Sequence, residues 1–262
     1  MKSSISLDLQ NVLDNHSKVF ETPKGLLPIR DHDHVIHLIP GSFPPNIRPY
    51  KYPYAQKSEI EHMVAEMIEV GIIQPSQNSL FAPVVLVHKK DGSWCMCPYY
   101  RELNKLTIKD KFPIPVIDEV LDELHGVIYF TKSDLHSRYH QIKIKTKDIP
   151  KTTFRTHEGH YEFLIMPFGL TNSPSTFQGL MNSIFKPFLR KFVLVFFDYI
   201  LIYNNSWKDH VQHVDRVLKL LEGKQFYGKS SKFFFGVQEV EYLGTQLAHS
   251  SSYHPQLMGK QR

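Results

Sequence analysis

Two aspartates stand where a carboxylate is costly. Asp198 interrupts the apolar run from Phe192 to Tyr203, and Asp134 closes the segment Phe130-Thr131-Lys132-Ser133-Asp134. An acid within an apolar strand pair needs a partner or a metal to satisfy it. Two carboxylates on adjacent strands could hold Mg²⁺, which prefers oxygen ligands and completes its shell with water or substrate phosphates. The plainer alternative is a turn or cap residue at each strand end, and spacing alone leaves both readings open. Three other clusters carry suggestive residue types. Arg30-Asp31-His32-Asp33-His34 offers metal-ligand side chains but reads as an exposed alternating strand, with His34, Ile36 and Leu38 on one face. His210 and His213 lie three apart on a helix with no third ligand at a suitable spacing, so they read as surface or packing residues. The hairpin tip Lys89-Lys90-Asp91-Gly92 is basic, and is either a solvated turn or a grip for phosphate.

The elements that would position these groups follow from periodicity. Ile60, Met63, Val64, Met67 and Ile68 fall at helical spacing, with Gly71 as the stop. Residues 83–87 read as a strand, followed by the basic turn and a second strand from Trp94. A helix carries Ile117, Val120, Leu121 and Leu124 and ends at Gly126. Strands are expected from Ile128 to Leu135 and from Tyr139 to Ile144, and a hairpin from Thr152 to Ile165 turns near Gly159. Asn172, Ser173 and Pro174 open a helix whose buried side is Phe177, Leu180, Met181 and Ile184. Residues 192–203 read as a tight β-hairpin with an acid at its bend. A last amphipathic helix carries Val211, Val214, Val217, Leu218 and Leu221. Prolines punctuate the first 50 residues, which read as an arm and not as a core. The mixture of hairpins and helices argues for an α+β fold over a doubly wound parallel sheet.

Composition narrows the class. At 42% hydrophobic and 22% charged residues, the 262-residue chain can bury a sizeable core, which excludes a mostly disordered or collagen-like chain. No apolar run is long enough for a membrane-spanning helix, and the N-terminus lacks the apolar block of a signal peptide. Two cysteines are too few for a disulfide framework or a four-ligand thiolate zinc site, so the expected setting is intracellular, with cytoplasm and nucleus not distinguished. A net charge of +5 is compatible with a polyanionic partner.

Longer words in the sequence sharpen this reading. They are Tyr100-Arg101-Glu102-Leu103-Asn104-Lys105, Lys109-Asp110-Lys111-Phe112-Pro113-Ile114-Pro115, residues 134–142 from Asp134, residues 153–163 from Thr153, Met166-Pro167-Phe168-Gly169-Leu170-Thr171-Asn172-Ser173-Pro174 with its continuation to Gln178, and Phe196-Phe197-Asp198. Together, and in this order, they closely resemble the reverse transcriptase of gypsy-type LTR retrotransposons, from about Val19 to Gly244. The resemblance implies a right-hand polymerase with interleaved fingers and palm, copying an RNA or DNA template-primer with dNTPs and two Mg²⁺ (or Mn²⁺) ions, one activating the primer 3′-hydroxyl and the other neutralising the triphosphate. Asp134 and Asp198 match two of the family's three metal-binding acids. Tyr139 matches the aromatic gate that selects against a ribose 2′-hydroxyl. Phe168, Gly169 and Gln178 match the segment lining the nucleotide, and Lys89 matches a lysine that contacts the triphosphate.

The sequence departs from that family at chemically demanding positions. Tyr199 stands where the second acid of the paired turn belongs, and a phenol brings no negative charge near pH 7. Cys95 replaces an arginine that would clamp the triphosphate with forked donors. Tyr99 replaces another acid, behind a proline, Pro98, expected to cost a central strand a ladder donor. Arg138 stands beside the gate where glycine is usual. Loss of one preorganised charged group costs on the order of 10²–10³ in rate, so impaired catalysis is the expectation. The alternatives are a non-catalytic nucleic-acid-binding remnant and a transposon relic with no activity. The expected partition is an N-terminal polyprotein arm over 1–50, fingers and palm over 51–246, and a tail over 247–262. That tail resembles a piece of the same polyprotein's integrase, with thumb and RNase H absent. The sequence assigns no membrane partner and no oligomeric state.

Overall fold

The structure is a computed structural model. It describes residues 6–22, 28, 30, 32–42, 51–78, 82–88, 92, 94–112, 122–135, 138–196, 199–242 and 245–248. In chain order the elements are α1 (Leu7–Asn15), α2 (Tyr54–Glu69), β1 (Ile73–Pro75), β2 (Ala82–His88), β3 (Trp94–Pro98), α3 (Arg101–Leu106), β4 (Tyr129–Asp134), β5 (Phe154–Arg155), β6 (His160–Phe163), α4 (Ser173–Phe185), β7 (Val193–Phe196), β8 (Tyr199–Asn204), α5 (Trp207–Gly223), β9 (Phe234–Val237), β10 (Glu239–Tyr242) and β11 (Thr245–Ala248). This is the mixed α+β content expected. The expected helix around Ile117 falls largely outside the described residues.

The chain divides into two compact units, each built from separated stretches. The first takes Met1–Thr22, Pro113–His136 and Met181–Arg262; the second takes Pro23–Phe112 and Ser137–Leu180.

The first unit is organised by a four-stranded sheet in the order β7-β8-β4-β9, antiparallel throughout. Strand alternation gives the sheet two apolar sides. Phe130, Leu194, Phe196, Leu201 and Tyr203 cluster with Leu124, Val127 and Val240. Helix α5 buries Val214, Val217, Leu218 and Leu221 at helical spacing, and Ser206 caps it by accepting from the Asp209 amide. One hydrogen-bond chain ties α5 to three strands. The Gly236 amide donates to Thr131 Oγ1 at 3.0 Å, and Thr131 Oγ1 lies 2.8 Å from His210 Nε2. His210 Nδ1 meets Asn204 Oδ1 at 3.0 Å, and Asn204 Nδ2 meets His213 Nδ1 at 2.7 Å. These roles are consistent if His210 is neutral, accepting at Nε2 and donating at Nδ1. Burial, helped by neighbouring His213, lowers the His210 pKa to about 4. His213 stacks on Phe192 with centroids 3.6 Å apart. Both histidines are therefore packing residues, as their spacing suggested.

The N-terminal stretch is no detached arm. Leu9 and Val19 are buried, and Phe20 meets Phe233 edge-on at 5.3 Å. His16 bridges two acids of α5, with its ring nitrogens 3.0 Å from Asp215 and 2.9 Å from Glu222. The first proline comes only at Pro23, and the short helical pieces before it bury their apolar residues. The hairpin β10–β11 runs through Leu247 and Ala248, paired with Val240 and Glu239. The strand thus extends past the 246/247 boundary expected for the tail, whose remaining residues lie outside those described.

The second unit holds a five-stranded sheet in the order β1-β6-β5-β2-β3, with β2 and β5 parallel and the other pairs antiparallel. Its core gathers Ile36, Ala82, Tyr100, Leu103 and Leu170. His34 and Ile36 are buried while His37 is exposed, so the expected alternation holds. The backbone there makes only isolated bridges, His34 with Ile144 and Leu38 with Thr107. The strand expected over Tyr139–Ile144 is absent: Arg138–Gln141 form a 3₁₀ turn, and Lys143 makes a single bridge to Ile165. Pro98 also differs from expectation. It ends β3, which is the edge strand among the described residues. The Tyr99 amide donates to the Pro83 carbonyl at 2.8 Å, so alternation turns the Pro98 nitrogen away from β2, and no ladder donor is lost.

Candidate active site

In the first unit the geometry is set by register. β4 and β8 pair antiparallel with Asp134 opposite Tyr199, and β7 and β8 pair with Phe196 opposite Tyr199. The connection between β7 and β8 is therefore two residues long, and Asp198 is one of them. Asp198 itself lies outside the described residues, and only the backbone of Asp134 is described. Tyr199 is the first residue of β8, not part of the bend, and packs partly against the Phe130–Tyr203 cluster. Lys132, two residues before Asp134, holds its Nζ 4.0 Å from the centroid of the Tyr199 ring. An ammonium over a ring face is attracted by the ring quadrupole, by about 0.5–1 kcal/mol at exposed sites. Sequence reasoning did not single out Lys132. Its signal was positional, since Leu201, two residues after Tyr199, is its register partner.

In the second unit the structure brings together most of the residues expected to line the nucleotide. Tyr139, buried in the 3₁₀ turn, has its ring 5.0 Å from Phe168 and 6.0 Å from Phe177. Phe168 is 42% exposed, and His140 flanks it at 5.2 Å. Gln178, the next residue of α4, is buried. The turn after Phe168 has a specific device. Gly169 sits at φ +92, where a side chain would be strained. Asn104 clamps this turn from both sides: its Nδ2 donates to the Gly169 carbonyl at 2.7 Å, and its Oδ1 accepts from the Thr171 amide at 2.9 Å. Asn104 is held in turn by α3. Its neighbour Tyr100 is fully buried, donates from its hydroxyl to the Thr152 carbonyl at 2.7 Å, and has its pKa raised well above the usual phenol value by that burial. The two sequence words containing Asn104 and Gly169 are thus one structural unit. Lys89 lies outside the described residues.

Two further departures can be located besides Tyr199. Tyr99, just after β3, has the Arg101 guanidinium 5.2 Å from its ring centroid. Cys95 is on β3 opposite Val87. The two tyrosines at positions where an acid was expected therefore each lie under a cation.

Comparison with known proteins agrees with this geometry. Residues 87–247 match the model of the family described as reverse transcriptase (RNA-dependent DNA polymerase). The chain belongs to the reverse transcriptase family. It is 40% identical over 201 residues to the retrovirus-related Pol polyprotein from transposon 297 of Drosophila melanogaster, covering 74% of this chain and 19% of that one. It is 32% identical over 241 residues to the polyprotein from transposon opus of the same organism, covering 90% and 24%. Transposon Tf2-3 polyprotein of Schizosaccharomyces pombe is 31% identical over 227 residues, covering 87% and 17%. This reverse transcriptase domain thus spans under a quarter of the length of each of these relatives. Among solved structures, the foamy viral protease-reverse transcriptase in complex with RNA/DNA hybrid superposes with a TM-score of 0.79 at 19% identity, covering 95% of this chain and 34% of that one. The foamy viral protease-reverse transcriptase dRH in complex with double-stranded DNA gives 0.81 at 20% identity, covering 95% and 44%. The fold is therefore the fingers-and-palm fold of those enzymes.

Proposed function

We propose that this chain is the fingers-and-palm part of a gypsy-type retrotransposon polymerase whose nucleotidyl transfer is impaired at the metal site. The observation that carries the reading is Lys132 over Tyr199. Where a second acid would stand, the chain has an uncharged phenol with an ammonium on its face, and that pairing opposes a second divalent cation. The β4–β8 register fits Asp134 and Asp198 as ligands for a single Mg²⁺ (or Mn²⁺), completed by water and phosphate oxygens. When bound, that ion would neutralise phosphate charge. The residues of the second unit would do the positioning. Tyr139 would pack under the sugar and exclude a 2′-hydroxyl, supported from behind by Phe168 and Phe177. Gly169, held by Asn104, would let a substrate approach the backbone closely. Lys89 would meet the triphosphate, without the forked donors that Cys95 cannot supply. The proposed partners are an RNA or DNA template-primer and dNTPs. The foamy viral relatives bound to RNA/DNA hybrid and to double-stranded DNA support that class of partner. No helix among the described residues is long and apolar enough to cross a membrane.

The test is primer extension on an RNA template with Mg²⁺ and dNTPs, comparing the natural chain with a Tyr199→Asp, Cys95→Arg, Tyr99→Asp variant. The expected result is silence from the natural chain and synthesis by the variant. Synthesis by the natural chain would overturn the proposal. Silence from both, with salt-sensitive retention of template-primer, would favour a non-catalytic binding remnant.

A further inference from the structure

Strand β3 carries a cluster that nucleotidyl transfer does not use. Cys95 and Cys97 are two residues apart on β3, so alternation puts both on one side of the sheet. Their sulfurs lie 3.6 Å apart, and both residues are partly exposed. Their partners on β2 are Val87 and Val85. His88 pairs with Trp94 and so belongs to the opposite side of the sheet, its ring 3.5 Å from the indole. The cluster is therefore a dithiol framed by valines, on the strand that is the edge of the second unit's sheet among the described residues.

Two fates are open to thiols this close, and the backbone separates them. A disulfide needs its Cβ atoms about 3.5–4.5 Å apart and its sulfurs about 2.05 Å apart. Side chains two residues apart on a strand leave the backbone about 6.6 Å apart, twice the rise per residue. Closing the bond would pull β3 out of its pairing with β2. A shared tetrahedral ion makes no such demand. With metal–sulfur bonds of about 2.3 Å, two thiolates on one Zn²⁺ stand about 3.8 Å apart, close to the separation already present. Thiolate donors also select soft or borderline ions and disfavour Mg²⁺ and Ca²⁺.

We propose that Cys95 and Cys97 form a two-thiolate clamp for a thiophilic d¹⁰ divalent cation of the Zn²⁺ class, with the two remaining coordination positions taken by water. Binding replaces two S–H bonds by two metal–sulfur bonds and releases two protons to solvent; no electrons are transferred. The site is independent of Asp134 and Asp198, and of whether the chain polymerises.

The experiment titrates the reduced, full-length protein with Cd²⁺ without oxygen and reads the thiolate-to-metal charge-transfer absorbance. The expected result is saturation at one ion per chain, release of two protons per ion in weak buffer, and displacement by Zn²⁺. Cys95→Ser and Cys97→Ser should each abolish the band while leaving the far-ultraviolet circular dichroism unchanged. Absence of the band from the natural chain, or its survival in either serine variant, would overturn the proposal. Saturation at one ion per two chains, with dimers in light scattering, would also overturn it, because the ion would then bridge copies. So would rapid loss of two hydrogens from the Cys95–Cys97 peptide in a low-molecular-weight disulfide buffer, because the strand would then close as a disulfide after all.

Discussion

The Lys132 ammonium stands 4.0 Å above the Tyr199 ring, on the strand that ends in Asp134. The Arg101 guanidinium over Tyr99 repeats the relationship in the other unit. In both places an aromatic face supplies the weak negative potential that a carboxylate would supply strongly. A return to aspartate would place a carboxylate beside a cation in each unit.

Tyr199→Asp alone should make the melting temperature respond more strongly to Mg²⁺ than that of the natural chain, which keeps only Asp134 and Asp198 as acids there. At Mg²⁺ about tenfold above its dissociation constant, linkage predicts a rise of about 2–4 °C in the variant. Adding Lys132→Ala should enlarge the response, since the new carboxylate then has no ammonium competing for it. Differential scanning calorimetry with and without Mg²⁺ checks this, and a response in the natural chain equal to that of the variant would contradict it.

The buried histidines make stability depend on pH. Burial holds His210 and His34 at about 4 in the folded chain, below the ordinary 6.5. The unfolded chain then binds more protons between those values, so stability rises with pH across that window. It is fully present above about pH 6.5 and falls as pH drops toward about 4, by up to about 1.4 kcal/mol per pH unit for each histidine. Urea unfolding across this range should show the slope, and His210→Gln should flatten part of it.

Thr131→Val keeps the shape but removes two hydrogen bonds, stranding the Gly236 amide and His210 Nε2. A buried orphan costs about 1–3 kcal/mol, and less where water can reach it, as at the half-buried Gly236 amide. The expected loss is about 2–4 kcal/mol by denaturant midpoint, well above the effect of an exposed Thr→Val change.

Asp148 is buried, accepting from the Ile36 amide at 3.2 Å and pairing with Lys151, which also donates to the Ile36 carbonyl. Asp148→Ala should cost about 3 kcal/mol, the lower part of the usual range because Lys151 keeps some solvent contact. Pro98→Val should be nearly neutral, within about 0.5 kcal/mol, because the Pro98 nitrogen faces away from β2. A large gain in stability would mean that the ladder had been missing a donor there.

Elements whose signal is local were legible in the sequence. The β7–β8 hairpin, α4 and α5 stand where apolar runs and periodicity put them, because each buries one continuous stripe. The turn at Gly169 was legible as a word, but its physical reason, the Asn104 clamp, joins positions 65 and 67 residues apart. The failures share one cause. Tyr139–Ile144 looked like a strand by alternation, yet its partners are single bridges to distant stretches, so no ladder forms. Pro98 looked damaging because strand order, which decides whether β3 is an edge, is not written in the local sequence. Of the candidate site, residue types were legible, while the cations over Tyr99 and Tyr199 depend on packing that one-dimensional spacing does not reveal.

The bridge from His16 to Asp215 and Glu222 joins residues 199 and 206 positions apart. A ribosome adding about 5–20 residues each second takes on the order of 10–40 s to cover that distance. The second unit ends at Leu180, so its whole chain has been made before α5 begins. During that interval Leu9 and Val19 have no surface to bury them. This stretch is thus made well before the helix it packs on, and its apolar side is open to chaperones while it waits.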